Sequence, residues 1–101
     1  MTKFEQKVLN LVKEIPRGKV STYQILALKL GDKKLARAVG NALGKNKELI
    51  KIPCHRIIKS NSEIGHYQQG LAKKVKLLQN EGIRIERGKL ANLAEYLFTF
   101  K

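Results

Sequence analysis

Pro53 is the residue that most restricts how this chain can fold, because it interrupts the most strand-like stretch of the sequence. The flanking residues 49–52 and 57–58 are mainly β-branched or apolar, as is typical of strands. Proline has a fixed φ and no backbone N–H, so it is excluded from a helix interior and from a central strand. We therefore expect a turn or an extended segment here. The next residue, Cys54, is the only cysteine of the chain.

The residues that follow Cys54 are types that activate a thiol. A cysteine attacks as the thiolate, and its pKa of about 8.5 falls next to cationic or histidine side chains. His55 and Arg56 follow directly, which predicts a lowered pKa for Cys54 and a role as nucleophile. A small buried core residue is the alternative that a lone cysteine leaves open. His55 is the candidate base; because successive side chains of an extended segment point to opposite sides, we expect a water molecule to bridge it to the sulfur.

The positive charge of the chain predicts a polyanionic partner. Twenty-one Lys and Arg residues against eight Asp and Glu residues give a formal net charge of +13, as is typical of nucleic-acid-binding domains. The basic residues are spread through patterned segments, which disfavours a membrane-surface protein with a polybasic tail. No apolar run reaches the roughly 18 residues of a membrane span. With no secretory segment and a lone cysteine, we expect a cytoplasmic protein, associated with the nucleoid in a prokaryote.

Capping patterns and apolar spacing predict three short helices in the first half of the chain. The first begins with a capping box at residues 2–5, and residues 16–19 break it. Ser21 opens a second capping box, and Gly31 ends that helix. Asp32 caps the third helix, which continues to Gly44. The last two helices, joined around a glycine, resemble a helix-turn-helix unit.

The second half is predicted to contain fewer regular elements. Gly65 and Gly70 bracket a loop, and loops of this kind often line sites. Apolar spacing predicts a helix over residues 71–81, and alternation predicts a short strand over residues 83–86. The apolar residues 90–100 are assigned to the core.

Four blocks of the sequence, in order, resemble those of the O6-alkylguanine-DNA alkyltransferases. They are residues 20–27, residues 36–40, Asn46 eight residues before the cysteine, and residues 53–56 followed by Gly65, Tyr67 and residues 70–72. The resemblance covers almost the whole chain. The separate amino-terminal domain that is usual in that family has no counterpart here, so we expect the catalytic and DNA-binding domain alone.

The resemblance implies a fold and a reaction. The expected fold is mainly α with short β: a winged helix-turn-helix, or three-helix DNA-binding bundle, that carries the active-site segment and a further helix. It forms one domain over 1–101, with the helix-turn-helix at about 20–44 and the active-site block at about 46–82. The implied activity is direct-reversal repair, in which an alkyl group, in particular methyl, moves irreversibly from O6 of guanine to the protein's own cysteine.

The implied substrate is double-stranded DNA containing O6-alkylguanine, with O4 of thymine as a second candidate position. The protein would bind the minor groove as a monomer, without a cofactor, a metal or a membrane. A guanine inside a duplex cannot present its O6 group to a buried thiol, so the nucleotide would be flipped out.

The resemblance also implies a role for each matching residue. Cys54 would be the nucleophile, served by His55 through water, and Glu81 would orient the histidine. Tyr23 would donate to guanine N3, and Arg37 would enter the base stack. The implied catalytic residues are Cys54, His55, Glu81, Tyr23 and Asn46. Those implied to bind the guanine are Leu43, Ile57, Tyr67, Gln68 and Gln69. Those expected to bind DNA are Ala36, Arg37, Gly40 and Asn41. Lys34 and Arg56 are candidate phosphate contacts, with solvated charges as the alternative.

The residues by themselves leave other interpretations open. Glu81 fits an ordinary charge at a helix end, and Tyr23 fits a core aromatic. Arg37 fits a phosphate contact on any recognition helix. Arg56 fits a structural residue that ties the active-site turn to a carboxylate or a carbonyl.

Four residues depart from the pattern of that family: Asn41, His66, Gln68 and Gln69. Larger side chains in the loop predict a narrower pocket mouth, and we expect Gln69 to hinder large alkyl groups such as benzyl more than methyl. Two other classes stay open. One is a non-catalytic protein of the alkyltransferase-like group, which characteristically lacks the cysteine, and the other is a winged-helix transcription regulator.

Overall fold

The computed structural model describes residues 2–100 and is mainly helical. Five α-helices follow the chain: α1 (Lys3–Val12), α2 (Tyr23–Lys29), α3 (Ala36–Leu43), α4 (Leu71–Asn80) and α5 (Leu93–Tyr96). Four two-residue strands accompany them: β1 (Ser21–Thr22), β2 (Ile57–Ile58), β3 (Ile85–Glu86) and β4 (Lys89–Leu90). Single 3-10 turns lie at Lys33–Leu35 and at Cys54–Arg56.

Of the three capping residues predicted for the first three helices, two are confirmed. Thr2 and Glu5 form the capping box of α1 through reciprocal side-chain to backbone hydrogen bonds. Asp32 accepts a hydrogen bond from the Lys34 backbone N–H at 2.9 Å, although it caps a 3-10 turn from which α3 continues. The prediction for Ser21 is wrong, because Thr22 caps α2 by accepting from the Ile25 N–H at 3.0 Å.

The parallel pairing of β1 with β2 explains this one-residue shift. Ser21 lies opposite Ile57 and Thr22 lies opposite Ile58, so the chain stays extended through Ser21 before the helix begins. The pair is buried on both sides. It joins the entry of the helix-turn-helix directly to the residues that follow Cys54, and the two predicted functional segments therefore share one core.

A second small sheet forms the wing. Strands β3 and β4 pair as an antiparallel hairpin whose turn is made by Arg87 and Gly88, both at positive φ. Backbone hydrogen bonds of Val20 with Tyr96 and Phe98, at 2.9 and 2.8 Å, hold the carboxyl-terminal segment against the strand entry. The winged helix-turn-helix predicted from the sequence is thus confirmed.

Two apolar clusters make the core. The larger cluster packs α1, α2 and α3 against Cys54, Ile57 and Tyr67. The smaller cluster packs Val20 and Ile58 against α4 and the hairpin. No helix within residues 2–100 is long and apolar enough to cross a membrane. Since Cys54 belongs to the larger cluster, the helical core positions the turn that carries it.

We predict that two adjacent hydroxyl groups differ in their effect on stability. Thr22→Val should lower the free energy of unfolding by about 1 kcal/mol, because the cap of α2 is lost while the side-chain shape is kept. Ser21→Ala should leave stability unchanged or raise it, because the Ser21 hydroxyl is buried without a hydrogen-bond partner in the described part of the chain. Urea unfolding of both variants measures the difference. A larger loss in Ser21→Ala than in Thr22→Val would contradict the assigned cap.

Candidate active site

Cys54 begins the 3-10 turn that follows Pro53, as the proline predicted. Its side chain is buried, and Sγ accepts a hydrogen bond from Asn46 Nδ2 at 3.4 Å. Asn46 is itself buried and held in place, since Nδ2 also donates to the Ile52 carbonyl and Oδ1 accepts from the Glu48 N–H, both at 2.9 Å. The asparagine predicted as a catalytic residue therefore supplies a fixed donor to the sulfur. A donor of this kind favours the thiolate.

A buried carboxylate organises the rest of the turn. Glu81, at the end of α4, accepts a hydrogen bond from His55 Nε2 at 2.8 Å. Arg56 donates to both oxygens of the same carboxylate, through Nε and Nη2, at 2.9 Å each. A third Arg56 nitrogen, Nη1, donates to the Ile15 carbonyl at 2.8 Å. The expected contact of Glu81 with His55 is present, and the same carboxylate holds the arginine.

Arg56 therefore has the structural role that the sequence left open. All three of its guanidinium nitrogens are occupied, and only 14% of its side chain is exposed. This arrangement favours the structural role over the predicted DNA contact, because phosphate contact would require Arg56 to leave a bidentate carboxylate pair.

Burial sets the protonation states of the two central groups. Burial raises the pKa of the Cys54 thiol, and the Asn46 hydrogen bond and the nearby Lys74 charge oppose this only in part. The predicted lowering of this pKa is wrong, because the sulfur is desolvated and the Arg56 charge is neutralised by Glu81. Burial also lowers the pKa of His55, against the opposing effect of Glu81. Near neutral pH the pair is therefore a thiol and an uncharged imidazole.

The Glu81 contact selects one tautomer of His55. Burial acts to raise the pKa of Glu81, but the hydrogen bonds from Arg56 and His55 outweigh it and lower that pKa. The carboxylate is thus ionised and accepts the Nε2 proton, which leaves Nδ1 as the basic nitrogen. Nδ1 is buried and makes no hydrogen bond within residues 2–100. The ring is therefore oriented to take up a proton at Nδ1.

A cavity of about 370 Å³ opens beside Cys54 between the helix-turn-helix and the loop before α4. Its volume lies within the range of small-molecule sites. It is lined by Tyr23, Ala36, Arg37, Gly40, Asn41, Leu43, Gly44, Cys54, Lys59, His66, Tyr67 and Gln68. The structure thus brings the predicted nucleophile, the predicted recognition helix and the loop predicted from the glycines to one cavity.

The aromatic wall of the cavity depends on a close approach at Gly65. Tyr23 is half-buried, and its hydroxyl donates to the His66 carbonyl at 3.5 Å. Gly65 has a φ of +80°, and a Cβ there would lie 3.1 Å from the tyrosine hydroxyl oxygen. Glycine at this position lets the loop pass over the ring. Burial raises the pKa of Tyr23, so the phenol stays protonated and can donate.

The four residues expected to bind DNA line the cavity, and the candidate phosphate contact Lys34 does not. Ala36, Arg37, Gly40 and Asn41 of α3 all line the cavity, with the Arg37 side chain exposed, whereas Lys34 is exposed on the preceding 3-10 turn and does not line it. Lys59, which the sequence did not single out, also lines the cavity. The sequence could not predict that Lys59 lines the cavity, because charged residues are common in exposed turns.

The two loop glutamines have different positions. Gln68 lines the cavity, and its Nε2 donates to the carbonyls of Leu43 at 3.0 Å and of Asn46 at 2.9 Å. Gln69 is exposed and is not among the lining residues. Of the two glutamines predicted to narrow the cavity mouth, only Gln68 lines the cavity.

A hydrogen bond between Lys74 and Ile57 was not predicted from the sequence. Ile57 is buried behind the turn, and its carbonyl accepts a hydrogen bond from the Lys74 ammonium group. Lys74 lies on α4 and is fully buried. Several lysines occur on this amphipathic helix, and the sequence pattern predicts that all of them are exposed to solvent. The pattern therefore gave no indication that Lys74 is buried.

One protein family matches most of the chain. The family model described as 6-O-methylguanine DNA methyltransferase, DNA binding domain, matches residues 3–83. The chain is 48% identical over 83 residues to the methylated-DNA--protein-cysteine methyltransferase of Sulfolobus acidocaldarius, covering 82% of this chain and 52% of that protein. It is 42% identical over 89 residues to the bifunctional methyltransferase/endonuclease of Picrophilus torridus, covering 88% and 30%. The chain spans between about a third and a half of such relatives.

Two solved structures of proteins bound to DNA have a similar fold. Atl1 of S. pombe in complex with damaged DNA containing O6-carboxymethylguanine superposes with a TM-score of 0.86 at 35% identity, covering 98% of this chain and 97% of that one. The Mycobacterium tuberculosis OGT in complex with DNA superposes with a TM-score of 0.77 at 37% identity, covering 80% of this chain and 50% of the other.

We predict that the free energy of unfolding falls as the pH is lowered from about 7 to about 4. The pKa of His55 is lowered in the folded state, so the unfolded chain binds this proton first, from about pH 6.5 downward. The pKa of Glu81 is lowered too, so its stabilising effect is complete above about pH 4.3 and is lost as the pH falls through its folded value.

Urea unfolding at a series of pH values measures this dependence. His55→Asn should abolish the decrease in the free energy of unfolding between pH 7 and 5. His66→Asn, at the exposed second histidine, should retain this decrease. A wild-type stability that does not change between pH 7 and 5 would contradict the assigned state of His55.

Proposed function

Because the chain belongs to the 6-O-methylguanine DNA methyltransferase family, whose DNA-binding domain matches residues 3–83, we propose that it repairs DNA by moving an alkyl group from O6 of guanine to Cys54. One observation carries the proposal: the only cysteine lies in the wall of a cavity shared with the recognition helix, next to a buried histidine and carboxylate pair. The methyltransferases of similar sequence support the same activity.

The first step prepares the nucleophile. A bridging water passes the Cys54 proton to Nδ1 of His55, and Glu81 stabilises the imidazolium that forms. Asn46 donates to the thiolate and holds it toward the cavity. The desolvation that raises the thiol pKa also makes the anion reactive once it forms.

The second step is a displacement at the alkyl carbon. A bond forms between Sγ and that carbon while the bond from the carbon to guanine O6 breaks, and the electron pair enters the guanine ring. Tyr23 donates a hydrogen bond to N3, where negative charge develops. The guanine anion takes up the proton that Cys54 gave to His55, so the base leaves as neutral guanine and His55 returns to an uncharged imidazole. The thioether is stable, so each protein molecule reacts once.

Access to the cavity requires the damaged nucleotide to leave the duplex. The cavity opens at α3, where Ala36 and Gly40 allow a close approach and Arg37 projects at the mouth. Small side chains suit the narrow minor groove, and a long cation can fill the space left in the base stack. The net charge of +13 attracts the duplex without regard to sequence. We place this activity in the cytoplasm, where a free thiol stays reduced.

A second candidate function is damage recognition without chemistry. The full-length superposition on Atl1 favours it, because that structure holds damaged DNA and has nearly the same extent as this chain. Cys54, with an ordered donor on its sulfur and an oriented histidine beside it, favours the enzyme.

We expect incubation with a duplex carrying O6-methylguanine to add one methylene to the tryptic peptide 52–56. Mass mapping of the peptides locates the group, and Cys54→Ala should bind the same duplex without modification. An unmodified peptide despite tight binding would contradict the transfer and support the recognition protein.

We expect Arg37→Ala to slow repair of the duplex by about tenfold or more, since flipping costs a few kcal/mol. Reaction with free O6-methylguanine base, which needs no flipping, should change little. Arg84→Ala removes the same charge from the segment just before β3 and serves as the control. Equal losses with duplex and free base would remove Arg37 from the flipping step.

A further inference from the structure

The side chain of Gln68 ties the loop before α4 to the end of the helix-turn-helix. Its Nε2 donates to the carbonyl of Leu43, the last residue of α3, at 3.0 Å, and to the carbonyl of Asn46 at 2.9 Å. Both partners are acceptors only, so the amide nitrogen and not the amide oxygen faces them. We call these two hydrogen bonds the Gln68 latch.

The Gln68 side chain also stands between the active-site cavity and a second cavity. The second cavity has a volume of about 540 Å³. It is lined by Glu5, Gly44, Lys45, Asn46, Lys47 and Gln68. Gly44 and Gln68 line the active-site cavity as well. Because glycine has no side chain, the side chain that the two cavities share is that of Gln68.

The second cavity lies on the Asn46 side of the Cys54 sulfur. Asn46 Nδ2 donates to Sγ at 3.4 Å, and the Asn46 carbonyl accepts from Gln68. In a displacement at carbon the sulfur, the alkyl carbon and guanine O6 lie close to one line, so the remaining atoms of a larger group project sideways from it. A group that extends toward Asn46 therefore meets the Gln68 side chain before it reaches the second cavity.

We propose that Gln68 is a specificity-determining residue whose latch closes the active-site cavity toward the second cavity and restricts transfer to small alkyl groups. The inference rests on the proposed function, because it concerns which O6 substituents reach Cys54. With the latch in place, the active-site cavity of about 370 Å³ holds the guanine as well as its substituent. A methyl group adds little to the base, whereas a benzyl ring needs space beside the sulfur.

The loop can release the latch without disturbing the core. Gly65 and Gly70 bracket the loop at φ values of +80° and +96°. Gln68 is exposed, so its amide can exchange the two carbonyls for water. The preceding residue, Tyr67, is buried in the larger apolar cluster. Loss of the latch should thus join the two cavities and leave the Cys54 turn in place.

The first test compares O6-methylguanine with O6-benzylguanine as free bases, whose reaction needs no base flipping. The measured quantity is the ratio of the benzyl rate to the methyl rate, relative to the same ratio in the wild type. We expect Gln68→Ala to raise this ratio about tenfold, the effect of a small change in the space of a pocket. Gln68→Glu keeps the side-chain length but presents a carboxylate that the two carbonyls repel, so it should raise the ratio too.

Gln69→Ala is the matched control, because Gln69 is the exposed neighbour and lines neither cavity. It should keep the ratio of the wild type. An unchanged ratio in Gln68→Ala, or an equal rise in Gln69→Ala, would overturn the proposal. A rise in Gln68→Ala without one in Gln68→Glu would assign the effect to side-chain volume and would overturn the latch.

The second test uses the thiol without guanine, so it does not depend on the proposed function. The rates at which iodoacetamide and the bulkier N-phenylmaleimide modify Cys54, both at about pH 9 where thiolate is plentiful, give a ratio for the same variants. We expect Gln68→Ala and Gln68→Glu to raise the relative rate of the maleimide and Gln69→Ala to leave it unchanged. Equal ratios in all of these proteins would overturn the proposal. Failure of methyl transfer from DNA, with the expected ratios for the thiol reagents, would reject the proposed function and leave the latch intact.

Discussion

The carboxylate of Glu81 is the contact on which the active-site geometry depends. It receives hydrogen bonds from His55 and from two nitrogens of Arg56, and the Gly18 N–H approaches it at 3.4 Å. Through Arg56 the same network reaches the Ile15 carbonyl. It therefore joins the end of α4, the 3-10 turn and the connection between α1 and β1. A buried ion pair of this kind adds little net stability when complete, but loss of one partner leaves a costly unpaired charge.

This network also determines the chemistry of the turn. Arg56 balances the carboxylate, so the imidazole of His55 can stay neutral and still be oriented. The sulfur is then left with a neutral base, the Asn46 donor and the more distant Lys74 charge. A thiol with a raised pKa and a prepared base is protected from random oxidation until a substrate enters. In the proposed function, recognition of DNA and attack on the alkyl carbon are carried by one small module, because β1 and β2 connect the helix-turn-helix to the turn that holds Cys54.

Local sequence signals predicted the elements well and the charge states poorly. Capping residues and the turn at Pro53 act over three or four residues, so they are readable without the fold. The pKa of Cys54 depends on how deeply the fold buries the sulfur, and the partner of Arg56 is a carboxylate 25 residues away, so the tertiary structure sets both. The burial of Lys74 has the same cause. A one-residue shift at the cap of α2 came from the strand pairing at Ser21, again a long-range contact.

Glu81 holds His55 as a neutral ring with its proton on Nε2 and its basic nitrogen at Nδ1. Nitrogen-15 chemical shifts of the His55 side chain near pH 7.5 test this directly, since protonated and unprotonated ring nitrogens resonate far apart. We predict an unprotonated Nδ1 and a protonated Nε2. A ring protonated on both nitrogens, or a proton on Nδ1 alone, would contradict the account.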